Sequence, residues 1–185
     1  VKKRAVEGYG ARIIPCAPNV TAREETAAAV VAETGGTLIP PYDHPDVIAG
    51  QGTAALELLE EIPGLDAILA PVGGGGLLAG TTLCARELRP GIRVFAAEPA
   101  GADDAARSRA AGRLIPQTGP NTIADGLRTS LGQHTWPVVR DLIEDVLVVP
   151  EAEIVPAMEL VFTRMKLVIE PSSAVPLAAI LGGQL

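Results

Sequence analysis

The sequence predicts an α/β fold: an open, mainly parallel, twisted sheet with helices on both faces. Short apolar runs rich in β-branched residues alternate with helical patterns, which implies parallel strands joined by right-handed crossovers. Of the 185 residues, 48% are hydrophobic but only 3% are aromatic. Such a composition favours a core of Ala, Val, Leu and Ile between packed layers. A run of glycines between a strand and a helix completes the pattern.

Each element follows from local patterning. The predicted strands lie at 12–16, 37–39, 67–69, 94–97 and 146–149, and the predicted helices at 21–33, 52–61, 76–88, 136–143, 151–166 and from 172 onward, with a short helix after Ala102. Thr21 and Glu24 have the spacing of a capping box, and Gly35 ends that helix. Three prolines within 40–45 predict a boundary between domains at 1–43 and 44–185.

Composition also excludes several classes of function. The net charge is −7 and no basic stripe offsets it, so we expect no nucleic-acid partner. No apolar run approaches the ~20 residues of a membrane span, so we expect no membrane partner. The two cysteines, Cys16 and Cys84, form no CxxC pair, which argues against a disulfide framework or zinc site and predicts a cytoplasmic protein.

Four consecutive glycines, Gly73–Gly76, follow a strand and open a helix, and this arrangement predicts an anion site. A nucleotide P-loop is excluded because Thr81 stands where its lysine should be. Three interpretations stay open. The pattern that ends at Ala79 fits the GxGxxA dinucleotide fingerprint, with Glu98 as the ribose partner. Alternatively, the glycines cradle a single cofactor phosphate, or they form a turn without a ligand.

Carboxylates follow the strand at 94–97. Glu98, the Ala102 carbonyl and Asp104 have the hard oxygen atoms that Mg²⁺ or Ca²⁺ prefers. Alternatively, Asp103 and Asp104 only cap the next helix.

Two later segments carry candidate active-site residues. In the first, Gly126 permits a backbone that directs Asp125 into a cleft, although an ordinary Asp-Gly turn is equally compatible. In the second, Glu170 precedes a proline in extended backbone, and Ser172 or Ser173 is a candidate N-cap.

In order, these motifs identify the chain as similar to the fold type II pyridoxal phosphate enzymes, which are tryptophan synthase β-like. Within them it resembles the serine racemase and serine/threonine dehydratase group. The resemblance covers essentially all 185 residues and rests on Gly50-Gln51-Gly52-Thr53, Pro71 to Gly80, Ala97-Glu98-Pro99, Ala102-Asp103-Asp104, Thr122 to Gly126, Trp136-Pro137 and Met165 to Pro171. It implies a middle and later portion of such an enzyme, incomplete at both ends: the end of a small domain followed by part of a large, cofactor-phosphate-binding domain.

The resemblance also implies residue roles. It implies that Gly73, Gly74, Gly75, Gly76 and Leu77 bind the cofactor phosphate and that Glu170 lies near the cofactor ring. It implies that Asp125 and Gly126 line the active site and that Arg23 recognises the substrate carboxylate. It also implies a Mg²⁺ or Ca²⁺ site at Glu98, Ala102 and Asp104. Tyr9 and Lys166 match positions that contact a nucleotide activator in some animal members.

The activity that the resemblance implies is pyridoxal-phosphate-dependent β-elimination of serine or threonine to a 2-oxo acid and ammonia, with or without serine racemisation, in a homodimer. The family's Schiff-base lysine, in a Ser-x-Lys motif, matches no position here, because Lys2, Lys3 and Lys166 stand in other contexts. No catalytic residue is therefore assigned, and we expect the chain alone to be inactive. The alternatives are a non-catalytic fragment that binds phosphate or a divalent cation, and a Rossmann-type dinucleotide-binding module.

Overall fold

The computed structural model describes residues 2–185, except for the side chain of Val20, and has two compact units, one ending at Ile39 and the other running from Pro40 to Leu185. The first unit contains helices α1 (Lys2–Gly8) and α2 (Val20–Thr34). The strands predicted at 12–16 and 37–39 were wrong, because these residues are irregular. Among the described residues of this unit no strand lies beside them, so no ladder of hydrogen bonds forms.

Helix α2 begins with a different cap from the predicted one. The Asn19 side chain accepts a hydrogen bond from the Ala22 N–H at 2.8 Å, so Asn19 is the N-cap and Thr21 lies inside the helix. The predicted end of this helix is confirmed, since Gly35 follows it in the left-handed conformation with φ 67°.

The second unit alternates helices and strands. Its elements are α3 (Pro45–Glu61), β1 (Ala67–Pro71), α4 (Gly76–Leu88), β2 (Arg93–Pro99), a 3₁₀ turn (Ala100–Ala102), α5 (Asp104–Ala111), a second 3₁₀ turn (Asp125–Leu127), α6 (Thr135–Asp141), β3 (Val146–Val149), α7 (Glu151–Leu160) and α8 (Pro171–Leu181). Within residues 2–185, no helix combines the length and the apolar character needed to cross a membrane.

The three strands form one parallel sheet in the order β1-β2-β3, with Leu69 opposite Phe95 and Ala97 opposite Leu147. Side chains alternate between two apolar clusters on opposite faces. One cluster contains Ile68, Val94, Val146 and residues of α3, α4 and α6; the other contains Ala97, Leu147, Val149 and residues of α7 and α8. The predicted α/β class, a parallel sheet with helices on both faces, is confirmed.

Helix α3 begins at Pro45, seven residues before the predicted start at Gly52. The His44 ring accepts a hydrogen bond from the Asp46 N–H at 3.2 Å and is therefore the N-cap. Proline is favourable at the first helical position because its missing N–H has no partner there. The proline cluster thus contains a helix start that the sequence pattern obscured.

The helix predicted over 151–166 changes form before its end. Helix α7 stops at Leu160, and Val161–Met165 continues as a π-helix. Lys166 then ends it in the left-handed conformation with φ 60°, and is the only described residue other than glycine with a positive φ. Its amino group donates to the Thr163 carbonyl at 2.7 Å.

Candidate functional site

The glycine loop lies where β1 ends and α4 begins. Gly75 has φ 87°, a conformation that side chains disfavour. Among the described residues, no backbone carbonyl accepts a hydrogen bond from the N–H groups of Gly73–Gly76. Unpaired N–H groups at the positive end of a helix dipole attract anions, so the loop has the chemistry of a phosphate cradle.

Close neighbours explain why glycines fill this loop. A Cβ on Gly74 would overlap the ring of Tyr42, and one on Gly75 would lie 2.8 Å from the Thr135 Cβ. A Cβ on Gly73 would lie 2.9 Å from the Leu127 Cα. The loop therefore packs closely against the Tyr42 ring, the Thr135 side chain and the Leu127 backbone, which leave no room for side chains.

The structure brings several predicted site residues to the glycine loop. The Gly126 carbonyl oxygen lies 3.1 Å from where a Cβ on Gly73 would stand. A Cβ on Gly126 would itself lie 3.6 Å from Glu170 Oε1. The Gly126 N–H donates to Ser172 Oγ at 3.2 Å, so Ser172 joins the segments instead of capping α8. Gly126 thus lies beside the glycine loop, and Glu170 lies beside Gly126.

Thr129 was missed by the sequence analysis. Its Oγ1 is buried without a hydrogen-bond partner in the described structure, and it lies 3.0 Å from the position of a Cβ on Gly73. A buried hydroxyl without a partner is costly. Its position beside the cradle fits a ligand oxygen that completes its hydrogen bonding.

Other predicted residues are more exposed. Leu77 is 37% exposed in the first turn of α4, and Asp125 is exposed in its 3₁₀ turn. Arg23 belongs to the first unit, where it lines a hollow of about 360 Å³ together with Arg12. Tyr9 is 90% exposed in that unit.

The acidic residues after β2 are deeply buried. Glu98 and Asp104 are each 1% exposed, and so is Ala102. Glu98 accepts hydrogen bonds from the N–H groups of Ala105 at 3.1 Å and Ala106 at 2.7 Å. Asp103 pairs with Arg107 at 2.7 Å instead of capping. Glu98, rather than Asp103 or Asp104, therefore accepts the hydrogen bonds from the N–H groups at the start of α5.

Burial controls the charge of these acids. It raises the pKa of Glu98 to about 8; N–H donors oppose this shift, and the nearby Asp104 charge adds to it. Burial likewise raises the pKa of Asp104 to about 6, against the hydrogen bond from the Leu131 N–H at 3.2 Å.

The acidic pair fits a hard cation, because a cation would stabilise two buried carboxylates that burial disfavours. Within residues 2–185, no group of three or more His, Cys, Asp or Glu side chains is placed to hold a metal ion. A cation here would therefore need the Ala102 carbonyl and water as further ligands.

A family model described as pyridoxal-phosphate dependent enzyme matches residues 1–185. The chain belongs to this family. The serine racemase of Arabidopsis thaliana is 52% identical over 94% of this chain and 52% of its own length. The β-hydroxyaspartate dehydratase of Paracoccus denitrificans is 51% identical over 97% of this chain and 57% of its own. The chain therefore spans about half the length of these relatives.

A solved structure agrees with this membership. The maize serine racemase has a TM-score of 0.94 and 49% identity, covering 97% of this chain and 55% of its own. The pyridoxal-phosphate family favours a cofactor phosphate over a dinucleotide at the glycine loop. The structure adds a physical reason, since both Glu98 oxygens accept helix N–H groups and Glu98 is too buried to reach a ribose hydroxyl.

Proposed function

We propose that this chain forms the phosphate-binding and cation-binding part of an enzyme that acts on serine, threonine or a similar β-hydroxy amino acid. The observation that carries the proposal is the cradle of four glycines, whose N–H groups have no backbone acceptor in the described structure. Gly126 and the buried Thr129 hydroxyl lie beside the cradle, and Glu170 lies beside Gly126. This arrangement supports one phosphorylated ligand with a ring beside Glu170.

Pyridoxal phosphate, when bound, supplies an electron sink for the α-carbon of an amino acid. The chain's own residues would hold and orient it. The Gly73–Gly76 N–H groups and the α4 dipole would bind the phosphate, and Leu77 would flank it. Gly126 permits close approach beside Glu170, and the Thr129 hydroxyl offers a donor to an anionic oxygen. Asp125 and Arg23 remain proposed substrate-facing residues.

The named relatives support two outcomes at the amino-acid substrate. One is loss of the β-hydroxyl and ammonia to give a 2-oxo acid, and the other is inversion at the α-carbon. Both require removal of the α-proton, and they differ in the step after it. We favour elimination as the parental activity, with serine racemisation beside it; a non-catalytic fragment is the alternative.

We also propose that Mg²⁺ or Ca²⁺ binds Glu98, Ala102 and Asp104 in a structural role. The cation would neutralise two buried acids behind the 121–131 segment, which Asp104 contacts through the Leu131 N–H. We further propose that the first unit is the end of a small domain and the second unit part of a large one, in a cytoplasmic homodimer. The boundary predicted between 43 and 44 then lies four residues beyond the start of the second unit at Pro40. Tyr9 and Lys166 are candidates for contact with a nucleotide.

The first test uses the chain as it is. None of Lys2, Lys3 and Lys166 is a proposed anchor for the cofactor, so we expect no pyruvate from L-serine when pyridoxal phosphate is added. Pyruvate release above a no-protein control, measured with lactate dehydrogenase and NADH, would contradict the absence of a catalytic lysine.

The second test examines the parental activity. The matching segment of Arabidopsis thaliana serine racemase is replaced by this chain, and pyruvate and D-serine are measured separately. We expect pyruvate from L-serine, and we expect the same chimera carrying Gly75→Ala to lose it. A folded chimera that binds pyridoxal phosphate but forms neither product would refute the proposed activity.

A further inference from the structure

We propose that Asp43 and Thr135 are positioning residues that fix the orientation of the Gly74–Gly75 peptide in the phosphate cradle. The inference rests on the proposed function, because it concerns the same cradle. Neither residue belongs to the glycine loop, and they are 92 positions apart in sequence. Contacts in the second unit join them to each other and to the loop.

Asp43 anchors the start of α6. Its carboxylate accepts hydrogen bonds from the N–H groups of Gln133 at 2.8 Å, His134 at 2.8 Å and Thr135 at 3.2 Å. A Cβ on Gly132 would overlap that carboxylate, so the two segments approach closely. One carboxylate that binds three consecutive N–H groups fixes the position of Thr135.

Thr135 passes this restraint to the glycine loop. Its side chain is fully buried, and its Oγ1 donates to the Gly74 carbonyl at 2.8 Å while accepting from the Gly132 N–H at 2.9 Å. In a trans peptide, the carbonyl and the following N–H point in opposite directions. Holding the Gly74 carbonyl at Thr135 therefore directs the Gly75 N–H away from it.

The restraint matters because glycines resist peptide rotation weakly. A Gly-Gly peptide loses little by exchanging its carbonyl and N–H directions, since neither residue carries a side chain. In the exchanged orientation a carbonyl oxygen would replace an N–H donor at the anion, turning attraction into repulsion. The Thr135 hydrogen bond stabilises the orientation that binds phosphate.

Neighbouring residues of the same segment contact the loop as well. The Tyr42 ring lies against Gly74, and a Cβ on Gly76 would stand 2.9 Å from the Tyr42 Cβ. His44 caps α3. Tyr42 thus contacts the glycine loop, Asp43 contacts the start of α6, and His44 caps α3. Asp43 therefore lies between two residues that each contact another element.

The test measures the affinity of the 185-residue chain for inorganic phosphate by calorimetric titration, with the thermal midpoint measured in parallel. We expect Thr135→Val to raise the Kd about tenfold, as expected when one hydrogen bond that orders the site is lost. Thr135→Ser keeps the hydroxyl and should restore the affinity. Asp43→Asn should raise the Kd by a smaller factor of about three, because an amide oxygen still accepts one or two N–H groups.

Thr82→Val is the matched control. Thr82 is also fully buried, but its hydroxyl donates to the Leu78 carbonyl within α4 at 2.7 Å. It should lower the thermal midpoint without changing the phosphate Kd more than about twofold. If Thr135→Val does not fold, Thr135→Ser and Asp43→Asn still decide the outcome through the Gly75 N–H resonance, which should keep its position in the serine variant and shift in the asparagine variant.

The outcomes separate the two proposals. Phosphate binding that Thr135→Val and Asp43→Asn leave unchanged, or change no more than Thr82→Val does, overturns the positioning role alone. An unsubstituted chain that binds no phosphate overturns the proposed function and this inference with it. Weakened binding in Thr135→Val and recovery in Thr135→Ser support both.

Discussion

At the scale of single residues, the cradle depends on the absence of side chains at Gly73–Gly76. Gly73–Gly76 could be predicted as an anion site from the sequence, because consecutive glycines after a strand are a local pattern. Tyr42, Thr129 and Thr135 could not, since each contacts the loop only through the fold. Their residue types carry no local signal, and the contacts join positions about 30 to 60 apart in the chain.

Gly75→Ala tests the cradle at its most constrained position. A Cβ there is strained at φ 87° and lies 2.8 Å from the Thr135 Cβ. We expect a loss of about 2–3 kcal/mol in the free energy of unfolding and loss of phosphate binding. Denaturant unfolding and calorimetric titration measure the two effects.

Gly112→Ala provides the control for backbone strain. Gly112 has φ 65°, but nothing lies within 4 Å of a Cβ placed on it. It should lose only about 1 kcal/mol and keep phosphate affinity. Equal destabilisation in both variants, with phosphate binding retained in Gly75→Ala, would argue against a closely packed cradle.

Thr129→Val should separate stability from binding. Removing a buried hydroxyl that has no partner in the described structure should leave the thermal midpoint unchanged or raise it, with about 1 kcal/mol gained at most. The affinity for pyridoxal phosphate should fall severalfold, because the proposed donor is lost. A lower midpoint with unchanged affinity would show that Thr129 serves the fold alone.

At the scale of helices and strands, the pattern of apolar residues predicted the strands that pair with one another. It missed features that depend on contacts with other segments of the chain. The strands at 67–69, 94–97 and 146–149 are confirmed because they pair with one another. The runs at 12–16 and 37–39 also contain β-branched residues, but no strand lies beside them among the described residues of their unit. The start of α3 was missed because prolines usually end helices, whereas Pro45 begins one.

The crossing of α3 and α4 depends on two glycines. A Cβ on Gly80 would overlap the Ile48 carbonyl, and one on Gly52 would lie 3.0 Å from the Gly80 carbonyl oxygen. Gly80→Ala should therefore separate the helices and lower the free energy of unfolding by about 2–4 kcal/mol.

Gly50→Ala is the control in the same pair of helices, since nothing lies within 4 Å of its Cβ position in α3. It should raise the free energy of unfolding by up to about 1 kcal/mol, because alanine favours a helix over glycine. Denaturant unfolding of both variants measures the contrast. Similar values would contradict the close crossing.

The acidic segment between β2 and α5 predicts a response to cations. At a concentration of about 100 times its Kd, Ca²⁺ or Mg²⁺ should stabilise the chain by about 2.7 kcal/mol, seen as a higher thermal midpoint. Glu98→Gln should abolish the rise, and it should also lower the cation-free midpoint, because an amide keeps only one of the two oxygens that accept the Ala105 and Ala106 N–H groups.

Asp103→Asn makes the same carboxylate-to-amide change at a nearby acid whose side chain is 38% exposed. It should keep the full response to cations. A response that survives Glu98→Gln, or that Asp103→Asn removes equally, would indicate general screening of the net negative charge instead of a defined site.

At the scale of the whole molecule, the described chain forms a small sheet covered on both faces and a separate helical unit. The α/β class followed from the order of elements and was confirmed. The proximity of Gly73, Gly126 and Glu170 could not be predicted from the order or spacing of the sequence motifs. It depends on how β1 and the start of α8 pack in the fold. The resemblance of the ordered motifs predicted that grouping where spacing did not.

The cradle's specificity for a phosphate is the central claim, and the affinity of the chain for pyridoxal phosphate against pyridoxal tests it most directly. Both carry the same ring and aldehyde, and only one carries the phosphate. We predict that pyridoxal phosphate binds at least about tenfold more tightly, as one charge-assisted anion site allows. Inorganic phosphate should compete, and Gly75→Ala should remove the difference. Equal affinity for the two compounds in the unsubstituted chain would contradict the assignment of Gly73–Gly76 to the cofactor phosphate.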